Sequence, residues 1–306
     1  MSILTLNGLL PRTEAFERFV DPARHRPALW RLFVGLALVI GLYLGITAGL
    51  FALAWTFELP AFVQEMQSAD AVAFGLSRTT VALTLATFVG VPLGLLIALP
   101  LLHKRSFRSL FGLARSARRD FLIAAGIFLV INLAIALPSL WFTDTLPHEP
   151  LTMVLLYLPL AAPLVLLQTG AEELLFRGYI MQQLAARFQS PWIWAVLPSI
   201  VFGVLHYDPS LGKTSAILIV LSITLTGLLW VDLTRVTGNL GAAMGWHFAN
   251  NLVFMNFVGF DDYLNGFAWR ILPFGYGDAP LSFFVIDPIL SIANWVILRR
   301  TFMARI

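Results

Sequence analysis

The sequence contains no cysteine, which excludes disulfides, thiolate metal sites and a cysteine nucleophile at once. Charge is scarce as well. Charged residues make up 12% of the 306, about half the ~25% of a soluble protein, while apolar residues reach 58% and mean hydropathy is +0.82. These values exclude a soluble globular chain and identify an integral membrane protein. Eight spans of ~20 residues would occupy about half the chain, which leaves no room for a large extramembrane domain. The helical zinc-protease signature HExxH is missing, no serine-hydrolase signature is present, and no internal repeat supports an inverted-repeat transporter.

What is present is a series of apolar runs long enough to cross ~30 Å of hydrocarbon: 29–57, 79–102, 121–142, 151–176, 191–206, 214–233, 240–260 and 281–298. They predict an all-α polytopic membrane protein of about eight transmembrane helices. The fifth run is the shortest. The first is too long for the apolar region of a signal peptide and is read as a retained helix.

Positive charge locates the ends. Of the 20 Lys and Arg, 17 fall in the N-terminal tail, the loop after the second span, the ends of even-numbered spans and the C-terminus; only Arg78, Lys213 and Arg270 fall on the other side. This asymmetry predicts that both termini are cytoplasmic, and the expected location is a bacterial inner membrane. It also explains the pI near 9.5 without any nucleic-acid partner. Two basic segments that carry apolar residues, 10–20 and 107–113, read either as orientation signals or as interfacial helices on anionic lipid.

Ionisable groups inside spans are costly and usually functional, and here they cluster. The fourth span ends Gly170-Ala171-Glu172-Glu173-Leu174-Leu175-Phe176-Arg177, the fifth ends Phe202-Gly203-Val204-Leu205-His206, and the seventh contains His247-Phe248-Ala249-Asn250-Asn251. Glu173 and Arg177 stand at i and i+4, the favoured order for an ion pair on one helix face. Glu172 is rotated by about 100° and points elsewhere. If the fourth helix continues to Phe188 and turns at Gln189-Ser190, Glu172 and His206 both lie roughly 25 Å from the turn, level with each other. His247 and Asn251 share a face. A carboxylate with an imidazole can activate water, and a second imidazole with a carboxamide can receive an oxyanion, which together describe hydrolysis of a peptide bond. Glu172, His206 and His247 could alternatively hold a zinc ion. Asp287, Asp232 and Asn132 read as packing or interface groups, and the aromatic loop 261–280 as an interfacial anchor or a lid.

The three segments resemble the CAAX protease and bacteriocin-processing intramembrane protease family, also called type II CAAX prenyl endopeptidase or Abi-like. Its pattern, EExxxR then FxxxH then HxxxN, is matched here by Glu172 to Arg177, Phe202 to His206 and His247 to Asn251. The resemblance implies Glu172 as base on water with His206, Glu173 and Arg177 as support, and His247 with Asn251 as oxyanion stabilisers. It implies a four-helix catalytic core in a cavity open to the cytoplasm, acting on a membrane-associated protein or peptide, in CAAX-type processing. Both metal-dependent and metal-free mechanisms are argued for the family. Asn251, a poor zinc ligand and a good oxyanion donor one turn after His247, favours the metal-free form, so no cofactor is assigned and zinc is the alternative. The expected organisation is a tail and three helices over 1–150, the catalytic core over 151–260, and a loop and final helix over 261–306. Two rivals remain: a proton-coupled transporter using the same groups as a relay, and a non-catalytic immunity or scaffold protein.

Overall fold

The computed structural model describes residues 10–67, 75–139 and 144–304. Its helices are α1 (Glu14–Arg24), α2 (Leu29–Thr56), α3 (Pro60–Gln67), α4 (Arg78–His103), α5 (Ala114–Ser139), α6 (Leu151–Arg187), α7 (Trp192–Val204), α8 (Lys213–Thr237), α9 (Gly241–Asn256) and α10 (Leu281–Met303). The chain is an all-α polytopic membrane protein. Five helices, α2, α4, α6, α8 and α10, are long and apolar enough to cross a bilayer. The other three expected spans differ. The fifth becomes α7, which at 1.5 Å per residue is only about 20 Å long, and the seventh becomes the 16-residue α9. The third is α5; its expected end near Phe142 lies outside the described residues, as does Arg305 of the basic C-terminus.

Small residues set the helix spacing. A Cβ on Gly241 would lie 2.0 Å from the Ala117 carbonyl oxygen and one on Gly245 2.3 Å from that of Phe121. The backbones of α9 and α5 therefore touch, which is how helices associate where lipid removes the hydrophobic drive between them. Gly203 does the same for α7 against Thr224 of α8. Polar locks add direction. Asp232 of α8 accepts hydrogen bonds from Arg235, from Trp295 Nε1 at 2.9 Å and from Arg299 Nε at 3.0 Å, so it joins α8 to α10 as an interface group. Asn132 bonds its own helix at the Phe128 carbonyl.

The N-terminal helix corrects the lipid-surface reading of residues 10–20. Thr13 caps α1 by accepting from the Phe16 N–H, and Phe16, Phe19, Val20 and Ala23 on its apolar face are buried. Phe16 packs on Trp194 at 4.7 Å between ring centroids. Arg12 Nη1 donates to the Ala185 and Phe188 carbonyls, closing the end of α6, and Arg235 Nη1 donates to the Pro11 carbonyl. A face this well covered has no apolar surface left for lipid. In the other basic segment, residues Phe107–Leu110 form a single 3-10 turn with Leu110 buried.

Outside the helices, three two-residue strands, β1 (Leu146–Pro147), β2 (Val258–Gly259) and β3 (Arg270–Ile271), order β1-β3-β2, tie the aromatic loop to the connection before α6.

Candidate active site

The fourth helix runs unbroken from Leu151 to Arg187, as the motif reading requires, but it changes pitch at the motif. From Leu174 to Ile180 it is a π turn, in which the Met181 N–H reaches back five residues to the Phe176 carbonyl. Such wide turns recur at functional sites because they re-aim side chains without breaking the helix. The turn starts directly after the two glutamates and contains Arg177.

Glu173 is fully buried and its Oε1 accepts two hydrogen bonds, from Arg177 Nη1 at 3.0 Å and from His247 Nδ1 at 2.9 Å. A carboxylate that already holds a guanidinium only accepts, so His247 carries its proton on Nδ1 here. The other ring nitrogen, Nε2, then lies 3.5 Å from Glu172 Oε2. The Trp230 indole stacks on the imidazole at 4.2 Å and 24°, and the Arg177 guanidinium lies 5.1 Å from the same indole. Gly227 leaves room for that guanidinium, since a Cβ there would come within 3.0 Å of Nη2.

His206 lies two residues past the end of α7, in a turn. Its Nδ1 is 2.8 Å from the Phe202 carbonyl, which can only accept. The proton sits on Nδ1 and Nε2 keeps a free lone pair. Asn251 donates one Nδ2 hydrogen to Gln168 Oε1 at 2.9 Å, and its Oδ1 accepts from Asn250. The amide has a second hydrogen to offer.

Glu172, His206, His247 and Asn251 all line one cavity of about 1000 Å³. Glu173 and Arg177 do not reach it; they stand behind His247. All six residues picked from the motifs are thus brought together, four on the wall and two in support. The spacing argument missed Gln168, one turn before Glu172, and Trp230, which belongs to no motif. The aromatic loop adds Tyr263 and Tyr276 to the wall. Burial, then the neighbouring Tyr263 and Asp287, push the Tyr276 phenol up, so its hydroxyl stays protonated. Among the described residues no group of three His, Asp or Glu side chains is placed to hold a metal ion, so the zinc alternative lacks its ligand set here, while the Nδ1 bonds of His206 and His247 leave both Nε2 atoms facing the site.

Comparison with known proteins adds to the geometry. Residues 149–253 match the family model of type II CAAX prenyl endopeptidase Rce1-like proteins. Residues 149–253 are thus similar to Rce1-like proteins. The match bears out the resemblance carried by the three motifs, and every motif position falls inside the Rce1-like segment. The chain is also 28% identical over 250 residues, 78% of its length and 81% of the relative's, to the uncharacterized protein YyaK of Bacillus subtilis. No solved structure matches significantly.

Proposed function

We propose that this protein is an intramembrane endopeptidase that hydrolyses a peptide bond of a membrane-associated protein or peptide, in CAAX-type processing. The observation that carries the reading is the meeting of Glu172, His206, His247 and Asn251 on the wall of one cavity among membrane-spanning helices. The Rce1-like segment supports it. In the proposed reaction Glu172 takes a proton from water, with the free Nε2 lone pair of His206 holding the water, and the resulting hydroxide bonds the scissile carbonyl carbon. The carbonyl oxygen becomes an oxyanion and receives the second Asn251 N–H and, with Nε2 also protonated, the His247 N–H. The C–N bond then breaks and the Glu172 proton goes to the departing amine. Glu173 and Arg177 act through His247, as positioning residues. No metal enters the sequence of steps.

A peptide-cleavage assay on purified protein tests this, wild type beside Glu172→Gln. Loss of a general base costs about 10² to 10⁴ in rate; undiminished cleavage by the variant would overturn the assignment. The orientation, with both termini cytoplasmic, rests on the charge asymmetry. Reporter fusions after residues 57 and 260 should report the outside and fusions at 110 and 306 the cytoplasm.

A further inference from the structure

Three intramembrane acids have their charges met by the protein in different degrees. Glu173 holds Arg177 and His247, and Asp232 holds Arg235, Arg299 and Trp295. Asp287, six residues into α10, is different. Among the described residues its one hydrogen-bond partner is Ser222 of α8, whose hydroxyl donates to Oδ2 at 2.6 Å, and no Lys or Arg pairs with it. An acid within a span normally pairs with a cation or faces an aqueous path. Asp287 faces the cavity, and Ser222 and Tyr276 line the same space. The bond to Ser222 joins α10 to α8, the interface role expected of Asp287, but the side chain also borders the cavity, and none of the proposed steps uses it.

Among the described residues that line the cavity, Glu172, Asp208 and Asp287 are acidic, none is Lys or Arg, and the basic side chains are His206 and His247 alone. Field lines in such a cleft are focused by its apolar walls, so it favours a cation and repels an anion. Asp287 and Tyr276 lie outside the Rce1-like segment, so they can select a substrate without touching the chemistry.

We infer that Asp287, held by Ser222, is a specificity subsite that receives the cationic side chain, Lys or Arg, of the substrate peptide. The inference rests on reading this cavity as the substrate site.

The test uses the full-length protein in lipid nanodiscs and a set of labelled apolar peptides, identical except that a single Lys, Gln or Glu is moved through the sequence. Binding is measured by fluorescence anisotropy and cleavage by kcat/KM. At one or more positions wild type should prefer Lys over Glu by at least about tenfold. Asp287→Asn, which can still accept from Ser222, should abolish that preference, and Asp287→Lys should invert it. A residue needed only for packing would change all three peptides alike. Absence of any Lys preference in wild type, or an unchanged preference in Asp287→Asn, would overturn the inference; if Asp287→Lys does not fold, Asp287→Asn decides alone. Lys-selective binding that depends on Asp287, without cleavage, would sink the hydrolase reading and keep the subsite. Cleavage without Lys selectivity would do the reverse.

Discussion

His247 Nδ1 lies 2.9 Å from Glu173 Oε1, the same oxygen atom that receives Arg177. One buried carboxylate therefore fixes the tautomer of the histidine and neutralises the arginine. Glu172, its neighbour in sequence, approaches the far side of that imidazole and borders the cavity.

The two glutamates should fail differently. Glu173→Gln leaves Arg177 as an unpaired buried charge, a loss worth about 3 to 5 kcal/mol, and frees His247 to rotate. Thermal unfolding in detergent should show a large drop for Glu173→Gln and almost none for Glu172→Gln, although both lose turnover. Equal melting temperatures would contradict this division.

Trp230 should matter to rate more than to binding. Its indole stacks on the His247 ring, and an aromatic face over an imidazolium contributes about 0.5 to 2 kcal/mol. Trp230→Leu is expected to lower kcat by about tenfold with KM changed by less than about threefold, and Trp230→Phe to recover most of the loss. A proportionate rise in KM would assign Trp230 to substrate binding instead.

The α5–α9 seam makes a prediction about size alone. Gly241→Ala and Gly245→Ala push a methyl into backbone carbonyls, where overpacking costs about 1 to 3 kcal/mol or more. Gly49→Ala and Gly126→Ala meet nothing within 4 Å and serve as controls. Melting temperatures should fall for the first pair and hold or rise for the second.

Phe16 distinguishes a docked α1 from one lying on lipid. It is fully buried against Trp194, so Phe16→Ala should cost about 3 to 5 kcal/mol. If α1 floats on the membrane, the substitution leaves the unfolding temperature in detergent unchanged and alters only vesicle binding.

Much of the site was legible because its chemistry depends on local spacing. The i, i+4 rule paired Glu173 with Arg177 and placed His247 beside Asn251, and counting from the turn brought Glu172 and His206 to one level. The same rule could not show that Glu173 also reaches His247, 74 residues away, because a helix period says nothing about which neighbour a face meets. Trp230, Ser222 and Asp287 were illegible for the same reason: the first two enter the cavity from α8 and the third from α10, and an apolar run containing one polar residue looks alike whether that residue packs or lines a pocket. Span boundaries were read too generously. His206 continues the apolar pattern past Val204 although the helix has stopped, since hydropathy registers composition and the backbone registers hydrogen bonds. The burial of α1 was hidden because an amphipathic helix has the same pattern whether protein or lipid covers it.

The docking of that first helix has a consequence for biogenesis. Arg12 bonds to carbonyls at 185 and 188, Thr13 to that of Arg235, and Phe16 to the ring of Trp194. This segment therefore has no place to go until more than 200 further residues have been synthesised and their helices inserted. Through that interval Phe16, Phe19 and Val20 are uncovered, open to chaperones and proteases. Docking of α1 over α6, α7 and α8 is thus a late event, and protection of α1 from an added protease marks the molecules whose assembly is complete.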